Sequence, residues 1–233
     1  MNEGYVLRHS DWENRLELNG APIVIVVENR GKFAEYAADI VCHAEGGEGT
    51  FKLFKGNDDA SFEGHTAVIS DLSSFSLNGK KALNLFHKKL IAEAQNGELL
   101  LKIGEINTAL AAFADELAFR SEIPLEYDAE ADGSDIVKLI NARVQEKYPK
   151  LIEKIVAFVD LAAELKRIKL FIIFFGKAYF SAEDIKALYH HCSLLGITPL
   201  LLEPCFHEDL SLGEYTLIID EDLCEIVVNS QKI

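Results

Sequence analysis

Ala21-Pro22-Ile23-Val24-Ile25-Val26-Val27-Glu28-Asn29-Arg30-Gly31-Lys32-Phe33 decides the fold class. Its first half is a β-branched run of strand length, apolar at every position, as a strand buried on both faces must be. Asn29-Arg30-Gly31 is a turn, and residues 32–43 then place Phe33, Tyr36, Ala37 and Ile40 at helical spacing. The same grammar returns near the other end. Lys169-Leu170-Phe171-Ile172-Ile173-Phe174-Phe175 is a second apolar strand, and Ser181 is placed to cap a helix that runs to Leu195 and stops at Gly196. A short apolar strand at residues 198–202 follows, then a hairpin pairing 215–219 with 224–228 across Asp220-Glu221-Asp222.

Between these halves the pattern changes. Residues 50–54 and 67–70 read as strands, entered through the flexible Gly46-Gly47-Glu48-Gly49. Beyond Leu77-Asn78-Gly79 the apolar period becomes helical, with Leu83, Phe86, Leu90 and Ala94 in register over 80–96 and Gly97 as the stop. Further helices are expected at 106–119, 135–145 and 148–165, with Pro149 in the first turn of the last. Two αβ halves around a helical block predict an α/β head, residues 1–76 and 168–233, interrupted by an inserted all-helical domain at 77–167.

With 233 residues, 49% hydrophobic and 26% charged, the chain has ordinary globular composition, which excludes disordered and disulfide-scaffold classes. The longest apolar run, residues 170–175, is too short for a bilayer, and residues 1–20 lack the apolar core of a signal peptide. A cytoplasmic protein without membrane contact is the expectation. Cys42, Cys192, Cys205 and Cys224 form no CxxC pair, so buried reduced thiols are expected rather than zinc. The net charge of −15 argues against a generic nucleic-acid binder. Its distribution is uneven. Residues 77–167 hold 13 basic and 15 acidic side chains, leaving 10 and 23 in the head. Six of those 15 acids lie in residues 122–135, which contain no base, so the remaining helices are locally basic.

The first strand–turn–helix sits where a nucleotide-binding fold puts its phosphate loop. Such a loop needs GxxxxGK[ST]: glycines that let backbone N–H groups close on phosphate, a lysine for charge and a hydroxyl for magnesium. Gly31-Lys32 is present, but the upstream glycine is missing, Phe33 replaces the hydroxyl and Glu28 repels phosphate. Asp220-Glu221 after an apolar strand reads as a magnesium carboxylate or as a hairpin turn. His190-His191 diverge by about 100° on a helix and suit a C-terminal dipole better than one metal. No GxSxG elbow positions a nucleophile. The expectation is a protein that is not an enzyme and binds no nucleotide.

Two patterns point to binding. Glu126, Asp128, Glu130 and Asp132 repeat at every second position between Glu122 and Asp135. Such a loop is either a solvated acidic surface or a calcium site, since calcium takes six to eight oxygens in flexible geometry. Lys80, Lys81, Lys88 and Lys89 mark one helix, with Lys81 and Lys88 on one stripe, and Lys138, Arg143 and Lys147 form a second group. These are either solvated faces or phosphate contacts to duplex DNA, which need charge and no aromatic stacking.

The order of several segments also carries a resemblance: Ile25-Val26-Val27-Glu28-Asn29, Glu122-Ile123-Pro124-Leu125-Glu126-Tyr127-Asp128, Gly176-Lys177-Ala178-Tyr179-Phe180-Ser181-Ala182-Glu183-Asp184, Leu200-Leu201-Leu202-Glu203-Pro204 and Ile219-Asp220-Glu221-Asp222. The chain resembles the Csn-two family, the CRISPR-associated adaptation protein of type II-A systems. The resemblance implies a degenerate P-loop NTPase-like head, without nucleotide hydrolysis, and an inserted helical leg. It implies a homotetrameric ring with a lysine-lined hole that threads double-stranded DNA ends regardless of sequence. It further implies calcium at the leg, with Glu122, Glu126 and Asp128 matching the pattern and Glu130, Asp132 and Asp135 added on chemistry. The partners would be the CRISPR integrase complex and the type II effector nuclease during spacer acquisition. Two alternatives stand beside it: a nucleotide-dependent P-loop-type enzyme, and an acidic protein-interaction scaffold.

Overall fold

The computed structural model describes residues 4–166, 168–207 and 213–229. Its elements begin with β1 (Tyr5–Arg8), β2 (Leu16–Leu18), β3 (Ile23–Val27), α1 (Arg30–Ala44), β4 (Lys52–Lys55), β5 (Asp58–Ala60), α2 (Phe62–His65) and β6 (Thr66–Ile69). Three helices follow, α3 (Lys80–Ala94), α4 (Gly97–Arg120) and α5 (Gly133–Leu139). The chain continues through α6 (Leu151–Lys166), β7 (Leu170–Phe174), α7 (Gly176–Tyr179), α8 (Ala182–Leu194), β8 (Thr198–Glu203), β9 (Tyr215–Ile219) and β10 (Glu225–Asn229). This is a mixed α/β protein with two sheets. Two compact units divide it: Met1–Phe75 with Tyr148–Ile233, and Ser76–Lys147.

In the first unit a six-stranded sheet has the order β10-β9-β3-β8-β7-β6, parallel except at the β9–β10 hairpin. β3 lies between β8 and β9, and all five of its residues are buried, as the opening run of branched residues requires. Alternate residues divide between the faces. Ile23, Ile25 and Val27 join Tyr36 and Ile40 of α1, and Leu7, Leu16 and Leu53 of a smaller antiparallel sheet ordered β2-β1-β4-β5. On the other face Phe171 of β7 lies beside Phe158 of α6, their ring centroids 6.3 Å apart. Each such fully buried side chain stabilises the fold by about 1.5–3 kcal/mol.

The boundary of the helical block differs from the sequence reading. α6 falls in the first unit, whereas the sequence pattern groups residues 77–167 together. Ile155, Val159 and Ala162 are fully buried, and Asp160 bonds His191 of α8 at 2.7 Å. α6 therefore belongs to the layer that covers the sheet.

The second unit contains α3, α4 and α5. α4 starts at Gly97 rather than near 106, and Gly97 at φ 58 links α3 to α4. α5 ends at Leu139, short of the expected 145, because Asn141 turns into the left-handed region at φ 50. Gly133 at its start lies so close to α3 that an added Cβ would be 3.2 Å from the Ala94 methyl. Residues 142–147 leave the helix and are clamped by Asn78: the Val144 N–H donates to Asn78 Oδ1, and Asn78 Nδ2 donates to the Val144 carbonyl, both at 2.9 Å.

β1 and β2 lie within residues 1–20, where the sequence pattern predicts no strand. They are four and three residues long and stand only through pairing with each other and, for β1, with β4, a non-local contact. Of the four cysteines, Cys192 alone is buried as expected, while Cys42, Cys205 and Cys224 are exposed free thiols. Among the described residues no helix is long and apolar enough to cross a membrane.

Candidate nucleic-acid interface

The turn between β3 and α1 is fully occupied by the chain's own groups. Asn29 caps α1, its side chain accepting from the Lys32 N–H at 3.1 Å. Its amide donates to the Glu221 carbonyl at 3.1 Å, and the Glu28 N–H donates to the Ile219 carbonyl at 2.9 Å. Lys32, the lysine a phosphate loop would aim at its ligand, donates instead to Asp11 at 2.8 Å and Glu35 at 2.9 Å. These bonds hold its ammonium well above the usual lysine range and pull the Asp11 carboxyl below its own. A phosphate here would have to displace a side-chain cap and break a paired ammonium away from two carboxylates.

A second strand–Gly–Lys turn follows β7, at Gly176-Lys177. Gly176 has no room for a side chain, since a Cβ would lie 2.8 Å from Leu201. Lys177 is nearly buried and pairs with buried Glu214 at 2.6 Å, while the Tyr189 hydroxyl donates to the same carboxylate at 2.7 Å. The Lys177 N–H donates to Glu203, whose carboxyl burial pushes up to about 7. The signal available in the sequence was the Gly-Lys pair directly after an apolar strand. The structure makes it a buried ion pair, not an open phosphate cradle.

In the second unit Lys80, Lys81 and Lys88 are exposed on α3. They share the outward face with Asn84, opposite buried Ala82 and Leu85. The expected apolar face, centred on Leu83, Phe86 and Leu90, is thus rotated toward Ala82 and Leu85. Lys89 turns with it and lies half-buried on that inner side. α3 has no acidic residue in its first turn and no side-chain cap at Gly79. Two lysines at the positive end of the helix dipole oppose it by about 0.3–1 kcal/mol each, a cost that a bound anion reverses.

The Asn78–Val144 clamp ties the segment bearing Arg143 and Lys147, both exposed, to the turn that precedes Lys80 and Lys81. Glu146 accepts from the Ser76 hydroxyl and the Asn78 N–H, which fixes this junction again. Lys138 stands apart on α5, 3.7 Å from Asp135 across an exposed i,i+3 pair. The candidate contacts therefore gather into one group at the start of α3, with Lys88 two turns along the same face.

The acidic segment is placed less favourably for its expected role. Glu122, Glu126, Asp128, Glu130, Asp132 and Asp135 are all exposed, and residues 122–132 form neither helix nor strand. Asp132 and Asp135 make a capping box on α5, each accepting from the other's N–H at 2.9 and 3.2 Å. Asp128 accepts from the Glu130 N–H at 3.1 Å. Asn107 of α4 grips the backbone of Ala131 through both its amide groups. Among the described residues no three His, Cys, Asp or Glu side chains gather to hold a metal. As placed, these carboxylates do not fit a calcium ion, and two of them serve the helix terminus.

A family model described as CRISPR-associated protein (Cas_Csn2) matches residues 46–223. Among curated proteins no relative matches the chain. The fold is similar to that of MJ1267, an ATP-binding cassette of an ABC transporter in its ADP conformation, at 13% identity, covering 92% of this chain and 85% of that one, with a TM-score of 0.44. It is also similar to a bacterial Atm1-family ABC exporter with ATP bound, at 10% identity, covering 99% of this chain and 40% of that one, with a TM-score of 0.43.

Proposed function

Since the chain belongs to the CRISPR-associated Cas_Csn2 family, we propose that it is a non-enzymatic protein that binds the ends of double-stranded DNA in the cytoplasm during spacer acquisition. In this reading the first unit is a degenerate P-loop NTPase-like head and residues 76–147 are a helical leg inserted into it. Four copies form a ring, and linear duplex threads through it without regard to sequence. The integrase complex and the effector nuclease are the partners that use the bound end.

The observation that carries the reading is the exposed lysine face of α3, which starts at a helix end with no acidic residue in its first turn. Phosphate contacts of this kind position a duplex and carry no base information. Two further observations support it. Lys32 is held by Asp11 and Glu35, so the head offers no free phosphate lysine at the β3–α1 turn. α4 leaves Leu99, Leu110, Phe113 and Leu117 exposed at helical spacing, with Phe113 at 62%, an apolar stripe suited to a second copy.

The test compares linear and relaxed circular duplex in gel shifts, then wild type with Lys81→Glu/Lys88→Glu. Linear DNA should bind and circles should not, and the double variant should lose binding at physiological salt. Equal affinity for both topologies would reject threading. ATP turnover that disappears in Lys32→Ala would instead make the protein a nucleotide-dependent enzyme.

A further inference from the structure

The two edges of the six-stranded sheet are treated differently. At one edge, all four residues of β6 are buried. At the other edge, Ile226 and Val227 of β10 point to opposite faces, yet they are 48% and 42% exposed. Among the described residues no strand pairs with the outer side of β10. Its sequence, Glu225-Ile226-Val227-Val228-Asn229, carries none of the devices that usually protect an edge: no proline, no lysine, no bulge.

β10 is also anchored at its first residue. Glu225 accepts from the Glu13 N–H at 2.6 Å, the Asn14 N–H at 3.0 Å and Asn14 Nδ2 at 2.7 Å, which fastens the hairpin to the loop between β1 and β2. An edge strand that is anchored at one end, carries apolar residues on both faces and has no strand on its outer side among the described residues is a preformed template for another strand.

We propose that the outer edge of β10 receives β10 of a second copy of this chain, antiparallel, so that the six-stranded sheet continues across a two-fold axis. The strand is self-complementary in this arrangement. Pairing about Val227 sets Val227 against itself and Ile226 against Val228, while Glu225 faces position 229 and not another carboxylate. The proposal rests on the tetramer reading and supplies what that reading needs. One isologous surface makes only a dimer, and a closed tetramer of two-fold symmetry requires a second, different one. The apolar stripe of α4 lies in one unit and the β10 edge in the other.

The test is a cross-link that reports register. Cys42, Cys205 and Cys224 are replaced by serine, and Val227→Cys is introduced in that background. Opposed residues across an antiparallel pair lie about 4.5–5.5 Å apart at Cα, within disulfide reach. With an added low-molecular-weight disulfide as oxidant, which is itself reduced to two thiols, Val227→Cys should give a covalent dimer, and Val228→Cys should not. Adding Ile226→Lys should abolish the cross-link and halve the solution mass. A multimer of wild-type mass without the 227–227 bond, or a cross-link that survives Ile226→Lys, overturns the edge interface and leaves the tetramer standing. A wild type that is monomeric at micromolar concentration overturns the tetramer and this interface together.

Discussion

Glu203 shows how one side chain sets the pH response. It is buried, and its carboxyl is shifted from 4.5 to about 7 by desolvation, with the nearby Glu214 charge adding to the rise. The folded state therefore keeps a proton that the unfolded chain gives up. This contribution is fully present below about pH 4.5 and is lost as pH rises toward 7, on the order of 3 kcal/mol in all. Glu203→Gln preserves an acceptor for the Lys177 N–H and removes the titration. Urea unfolding at pH 5 and pH 7.5 should then show a flatter pH dependence in the variant than in the wild type. Its neighbour Lys177 acts in the other direction. Truncating it leaves Glu214 buried without its cation, and Lys177→Ala should cost about 3–5 kcal/mol by the same measurement.

At the scale of elements, α3 and α5 separate binding from stability. Lys80 sits at the positive end of α3 without an acid to offset it. Lys80→Glu should therefore raise stability by about 0.3–1 kcal/mol while weakening duplex binding, opposite signs in melting and gel-shift measurements. A lysine that is merely solvated would give the first effect alone. On α5 the two readings of the acidic segment make different demands. Asp132 caps the helix, so Asp132→Ala should cost about 1 kcal/mol with or without calcium. Asp128 makes only a local turn, so Asp128→Ala should leave the calcium-free melting temperature nearly unchanged. If calcium draws residues 122–130 into a site, millimolar calcium should raise the melting temperature of the wild type, and Asp128→Ala should lose that rise. An unchanged wild type would assign these carboxylates to solvent and to the helix cap.

For the whole molecule the problem is a net charge of −15 facing a polyanion. Repulsion between distant charges is screened beyond about 8–10 Å at physiological salt, so a local lysine face can bind while acidic surfaces point away. Each phosphate contact releases counterions, and contacts sum over the copies in a ring. Affinity for linear duplex should fall steeply and log-linearly with salt. Lys81→Glu/Lys88→Glu should flatten that slope as well as weaken binding, which filter binding across a salt series would read.

The sequence by itself determined the buried strands and their helices. In β3 and β7 every residue is apolar, β8 is apolar or branched up to Leu202, and α1 and α8 carry their own caps in Asn29 and Ser181, so local pattern and tertiary need agree. The missing glycine and hydroxyl of the phosphate loop were equally legible, because that chemistry is confined to a few adjacent positions. The order of dispersed segments was enough to indicate the family. Tertiary structure decided the rest. β1 and β2 are too short to announce themselves and exist through pairing with a distant strand. The assignment of α6 to the sheet layer, the inward turn of Lys89 and the pairing of Lys177 with Glu214 depend on which neighbours arrive from far along the chain. Periodicity shows that a helix has two faces, but only packing fixes which residue lies at the centre of each. A charge shows its sign in the sequence, whereas its partner, and hence its freedom to bind, is set by distances the sequence does not contain.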